Sequence, residues 1–284
     1  MTPTRRGVLI GAGATLAVPS GLGFAASRKA PAELKLTGKL VQGGFAMGRI
    51  EPDAAIELDG VRLTQASRSG LFVVGFDRDA TATTTLRDDA TGAVSTLDIA
   101  PGTFPSSRID GLPPSTIAPS DPELLARIRR ELAAKTAAFA SRDDTEDFAE
   151  GFVWPLESYR ISSLWGAQRI LNGTPARPHY GIDLAAPEGT PIHAPASGLV
   201  VFAEPDMHFE GGLVLMDHGQ GLITAYLHQS RIDVVVGQRL ARGAAIGRVG
   251  MKGRATGPHL CWRMKWRDRN LDPSLMVGAL APQA

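Results

Sequence analysis

All six histidines of the chain lie between His179 and His259, and its one cysteine, Cys261, follows two residues later. The first 178 residues hold neither type. Imidazole and thiolate are the usual protein ligands for zinc, with carboxylates as helpers, so this stretch is a candidate metal site. Three segments in it have spacings that gather reactive groups. His179-Tyr180-Gly181-Ile182-Asp183 sets an imidazole and a carboxylate four apart. Gly181, with Pro178 and Pro187 on either side, argues against a helix and leaves an extended segment with both groups on one side. In Gly257-Pro258-His259-Leu260-Cys261-Trp262-Arg263-Met264, strand alternation puts His259, Cys261 and Arg263 on one face. Leu260, Trp262 and Met264 fall on the other, toward a core. In Thr224-Ala225-Tyr226-Leu227-His228, alternation groups Thr224, Tyr226 and His228, on a strand able to deliver its histidine to the rim of a groove.

The order is H-x-x-x-D, then a Tyr-x-His strand, then Gly-Pro-His-Leu-x. It resembles the lysostaphin and LytM-type zinc metallopeptidases, which hydrolyse peptide bonds in peptidoglycan. Gly181 to Pro191 is similar to that family's G-x-D-x-x-x-P-x-G-T-P segment, and Asp217-His218-Gly219, Val236-Gly237-Gln238 and Ile246-Gly247 fit as well. The resemblance runs from about Phe152 to Pro273. It implies that His179 and Asp183 are ligands of one zinc ion per chain and that His228 and His259 are the catalytic histidines. The family's third ligand is the second histidine of an H-x-H motif, and Cys261 stands there instead. A thiolate binds zinc well, and a His179, Asp183, Cys261 set leaves a position open for water. Two anionic ligands make the ion a weaker Lewis acid, so the expectation is an active but slower enzyme. On such a site His259 is expected to act as the general base and His228 to stabilise the oxyanion.

The elements that must position these groups read as mainly β. Residues 34–102 form short alternating runs with turn signals, such as Ile56-Glu57-Leu58, Asp59-Gly60 and Val61-Arg62-Leu63, and suggest a small N-terminal β-sandwich-like domain. Residues 103–150 read as a Pro- and Ser-rich linker followed by a helix. Ser120 and Glu123 have capping-box spacing there, and Leu125, Ile128, Leu132 and Phe139 share an apolar face. The bland reading of that helix is packing between two domains. Residues 151–276 return to strands and glycine turns, the antiparallel β peptidase domain with a groove that the resemblance implies.

Composition narrows the function further. A chain of 284 residues with 43% hydrophobic content can bury a substantial core. Aromatic content of 6% and a net charge of +1 argue against a nucleic-acid partner. Arg5 and Arg6 precede an uncharged stretch from Gly7 to Phe24. That order is similar to a twin-arginine export signal at residues 1–25, which places the mature protein in the periplasm or cell envelope, without a stable membrane span after cleavage. The rival readings are an uncleaved anchor, a catalytically impaired module that binds cell wall or activates an amidase, and a zinc peptidase acting on a protein outside the wall. Cys261 on its own also reads as a small buried hydrophobe. His193, His208 and His218 read as structural or surface residues, and Lys265, Arg267 and Arg269 as a basic tail.

Overall fold

The computed structural model describes residues 34–111 and 119–282. The export signal expected at 1–25, and the linker prolines Pro113 and Pro114, lie outside the described residues. The fold is mainly β with antiparallel sheets. In the N-terminal part, β1 (Leu36–Lys39), β2 (Phe45–Arg49), β3 (Ala55–Leu58), β4 (Val61–Gln65), β5 (Leu71–Gly75), β6 (Thr83–Asp88) and β7 (Val94–Asp98) form two sheets, ordered β1-β2-β5 and β4-β3-β6-β7. The turn between β3 and β4 holds Asp59 and Gly60 at φ of 53° and 74°, the pair of left-handed residues that a tight hairpin requires.

Residues 103–150 hold the expected helix, α1 (Pro122–Phe139), and a strand, β8 (Ser106–Ile109), within the segment expected as linker. The helix is capped by Asp121, whose carboxylate accepts from the Leu124 amide at 2.8 Å, with Pro122 in its first turn. The capping-box reading on Ser120 is therefore off by one residue. No residue of α1 is fully buried, and Leu132 is exposed. The apolar face is incomplete because the helix lies flat on one sheet instead of between two domains. Ala138 and Phe139 pack on that sheet, and Arg127 reaches Asp206 at 3.2 Å. No helix among the described residues is long and apolar enough to cross a membrane.

The remaining strands are β9 (Arg160–Ser163), β10 (Gln168–Leu171), β11 (Thr174–Pro175), β12 (Ile182–Ala185), β13 (Pro191–His193), β14 (Gly198–Met207), β15 (Gly211–Asp217), β16 (Leu222–Gln229), β17 (Arg231–Ile232), β18 (Arg239–Leu240), β19 (Ala245–Arg248), β20 (His259–Trp266) and β21 (Arg269–Leu271). The large sheet runs β18-β14-β15-β16-β20-β12-β9, with β21 beside β20. β8 pairs in parallel with β10, outside that sheet.

β16 is buried along its whole length because the sheet is covered on both sides. Leu222 and Tyr226 join one apolar cluster, while Ile223, Ala225 and Leu227 join a second, under α1. The first cluster is continuous from Phe45 and Phe72 through Trp262 and Trp266. At the join, a methyl group on Gly75 would come within 2.7 Å of Leu271 Cδ2 and 3.0 Å of Trp266 Cβ. The described residues therefore form one compact unit, whose N-terminal sheets share a core with the sheet that carries the histidines.

Candidate functional site

The site is built where β12, β20 and β16 run side by side. The registers place Asp183 opposite Cys261 across β12 and β20, and Leu227 opposite Cys261 across β20 and β16. Side chains opposed in this way stand about 4.5–5.5 Å apart at Cβ. Alternation along β20 turns His259, Cys261 and Arg263 toward a groove of about 630 Å³, while Leu260, Trp262 and Met264 pack into the first cluster. His179 arrives from the segment before β12. Its backbone N–H donates to the Ala167 carbonyl at 2.9 Å, and its own carbonyl accepts from the Gly166 amide at 2.7 Å.

His179, Asp183 and Cys261 each present a ligand atom within 4.8 Å of the others, and all three residues are buried. His179 Nε2 lies 3.3 Å from Cys261 Sγ and 3.1 Å from Asp183 Oδ1. Ligands sharing a tetrahedral zinc ion are separated by about 3.4–3.6 Å, so the set is close to that geometry. Nε2 carries at most one proton, and the Asp183 contact lacks hydrogen-bond geometry. Asp183 Oδ1 is thus a buried atom without a hydrogen-bond partner, a costly state unless a cation satisfies it. His179 Nδ1 meets Ser163 Oγ at 3.1 Å, the outer contact that orients a metal-ligating imidazole. Burial pushes the Asp183 carboxyl up, but contact with His179 and the charges of His179 and His259 outweigh it and hold the group well below the usual range. Burial lowers His179, and its contacts with Cys261 and Asp183 overcome that and raise it. The donor set fits a soft divalent ion such as zinc. The sulfur is buried, yet it faces the other donors rather than hydrocarbon alone.

Two imidazoles stand beside the three donors. The rings of His228 and His259 are 4.7 Å apart between centroids. His228 Nδ1–H donates to the Lys252 carbonyl and His259 Nδ1–H to the Gly257 carbonyl, each at 2.8 Å. These bonds fix the tautomer and leave Nε2 bare on both rings. His259 Nε2 is 3.7 Å from Asp183 Oδ1. Burial lowers both imidazoles below the ordinary value, so both are neutral bases near pH 7.

One expectation is corrected here. His228 does not share a face with Thr224 and Tyr226. Its φ is 66°, and the β15–β16 register slips between Gly212 and Val214, so a bulge turns the side chain into the groove. Thr224 and Tyr226 face the other way, into a buried relay. The Tyr226 hydroxyl, Thr224 Oγ1 and His218 Nε2 are linked at 2.7 Å each, and His218 Nδ1–H donates to the Ser197 carbonyl at 2.6 Å. His218 is structural, as its turn suggested, and His193 bonds the Gly243 carbonyl at 3.0 Å away from the groove. Ser163 and the carbonyls of Lys252 and Gly257 escaped the sequence reading. The carbonyls have no side-chain signature, and Ser163 has no spacing signal sixteen residues before its partner.

Residues 177–273, which hold β16, β20 and the three donors, match the model for peptidase family M23. The peptidoglycan DD-endopeptidase ShyA of Vibrio cholerae is 40% identical over 118 residues, which are 41% of this chain and 27% of that protein. The DD-carboxypeptidase/endopeptidase Mpg of Neisseria meningitidis is 37% identical over 121 residues, 43% of this chain and 28% of that protein. The chain thus aligns with little more than a quarter of either relative's length. A Pseudomonas aeruginosa crystal structure assigned to peptidase M23 is 31% identical, with a TM-score of 0.65, over 84% of this chain and 96% of that one. That last match takes in most of both chains, and with it the chain belongs to peptidase family M23.

Proposed function

We propose that this chain is an exported zinc endopeptidase that hydrolyses peptide bonds in the cross-links or stem peptides of peptidoglycan. His179, Asp183 and Cys261 hold the zinc. The observation that carries the reading is the convergence of these three buried donors, with Asp183 Oδ1 left unpaired, beside two imidazoles with bare Nε2 atoms. The names of the relatives ShyA and Mpg support the wall as substrate.

A zinc ion bound there would polarise an attacking water and the scissile carbonyl. His259 Nε2, the imidazole nitrogen nearer the donors, accepts the proton of that water as general base. The Gly257 carbonyl holds the ring and stabilises the imidazolium that results. His228 differs from the simple oxyanion-donor expectation. With Nδ1–H committed to Lys252, its Nε2 donates only after taking up a proton. The oxyanion partner is therefore whichever imidazole is protonated at that stage, and the adjacency of the two rings lets the same proton reach the leaving amine. The groove keeps these bases dry enough to remain neutral and available.

The test is digestion of purified peptidoglycan by the full chain, with fragments identified by mass and zinc measured per chain. New amino termini within the peptides, together with about one zinc per chain, support the reading. Zinc binding without any cleavage leaves a wall-binding or amidase-activating module instead. Cleavage of proteins but not of wall moves the substrate elsewhere.

A further inference from the structure

The chain as a whole is nearly balanced, with 30 basic and 29 acidic residues. Its groove is not. Six cations, Lys135, Arg160, Arg169, Arg177, Arg254 and Arg263, line it against two carboxylates, Asp183 and Glu210. Glu210 is paired with Lys135, and Asp183, whose Oδ1 lies beside His179 and the neighbouring His259 without a hydrogen bond, faces the ion that the donor set would hold. Even with the Cys261 sulfur counted as a third anion, three of the five guanidiniums are left without a full partner. Arg169 reaches only Asp183 Oδ2, at 3.5 Å, and its buried Nε has no hydrogen-bond partner. Arg263 spends Nε on Cys261 Sγ at 3.3 Å. Arg254 stacks over the Phe209 ring at 4.9 Å, and the acid that acts on it, Glu210, is already paired with Lys135.

Like charges gathered in a partly dry groove are unfavourable in the absence of a counter-charge. Arg254, at the exposed rim of the groove, registers this: partial desolvation and then the charges of Arg169 and Arg263 outweigh the pull of Glu210 and lower its affinity for its own proton. Guanidinium is planar and offers paired N–H donors matched to a carboxylate. We propose that Arg169, Arg254 and Arg263 form a carboxylate-binding subsite beside the donor set, and that the peptide cut here carries a free carboxylate within about one residue of the scissile bond. The distance follows from Arg263, which touches the donor sulfur itself, and from a chain advance of about 3.3–3.6 Å per residue. The inference rests on the peptidase reading and names the substrate class it takes. The carboxylate is supplied either by the C-terminus of a stem peptide or by an acidic side chain within it.

Calorimetry on the zinc-loaded full chain separates these sources. The probe is acetyl-alanyl-D-glutamyl-D-alanine, prepared as the diacid, as the C-terminal amide and as the side-chain amide. The diacid and one amide are expected to bind alike, and the other amide about tenfold or more weakly, as loss of a charge-assisted bond requires. The amide that weakens identifies the source. Arg254→Gln is exposed enough to leave the fold intact. It is expected to weaken the diacid about tenfold and to erase the preference, while Arg254→Lys keeps part of it. Undetectable binding of the diacid, equal binding of all three peptides, or a preference untouched by Arg254→Gln overturns the subsite. A preference measured in a protein that cleaves no wall upholds the subsite and defeats the peptidase reading. Wall cleavage without the preference does the reverse.

Discussion

Cys261 decides what kind of metal site this is. Its sulfur is fully buried, faces His179 Nε2 and Asp183, and accepts from Arg263 Nε. Removing it with Cys261→Ala leaves two donors, and zinc measured by atomic emission is expected to fall from about one per chain to near zero after dialysis. Cys261→His restores a third donor and is expected to retain zinc, with faster wall hydrolysis because a neutral ligand leaves the ion more acidic. Hydrolysis found only in that variant would mean that the native sulfur set does not support catalysis. Gly181 provides a test that alters no donor. A methyl group there would meet Cys261 Sγ at 2.7 Å and Arg263 Cγ at 2.9 Å, so Gly181→Ala must push the sulfur off its position. Zinc affinity, read by chelator competition, is expected to drop about 10–100-fold, the usual cost of disturbing the shell around a ligand. Unchanged affinity would show that the sulfur is not a donor.

At the scale of elements, alternation on β20 was legible because nothing interrupts that strand. Two side chains of each parity fix the face, and the tryptophans confirm which side is core. β16 obeyed the same rule only as far as Leu227. The slip in register against β15 and the left-handed backbone of His228 are products of how two strands meet, and one strand's sequence does not carry them. The same holds for β8, a strand only because β10 lies beside it. On α1, Ser120 and Asp121 are both capping residues, and the backbone chose the second. The left-handed position has a measurable consequence. A residue with a Cβ pays roughly 1 kcal/mol there that glycine does not. Among variants that abolish the imidazole, His228→Gly is therefore expected to be about 1 kcal/mol more stable than His228→Ala by urea denaturation, with wall hydrolysis lost in both. The opposite order of stability would rule out a left-handed His228 in solution.

For the whole molecule, the shared core ties the groove to the stability of everything around it, and His218 gives that stability a pH dependence. The ring is fully buried. Burial pushes it down to about 4, against the opposing effects of its bond to the Ser197 carbonyl and the charges of Asp217 and Glu150. Its hydrogen bonds agree with the neutral form, since Nδ1–H donates to the Ser197 carbonyl while Nε2 accepts from Thr224. Above about pH 6.5 the ring is neutral in the folded and the unfolded chain, and this stabilisation is fully present. As pH falls toward 4 the unfolded chain takes a proton that the folded one refuses, and stability drains away. Below the folded value both states are protonated and the loss is complete, at about 3 kcal/mol. About 2 kcal/mol of it should be gone by pH 5, before most carboxylates titrate. His218→Gln keeps a donor and an acceptor but cannot titrate. Urea unfolding at pH 7 and pH 5 is expected to show the wild type losing about 2 kcal/mol more than this variant, whatever their absolute stabilities. The comparison cancels the five remaining histidines, which both proteins retain. Parallel losses in the two proteins would mean that His218 takes up its proton without opening the core, and that the buried relay from Tyr226 to Ser197 is looser than its hydrogen bonds describe.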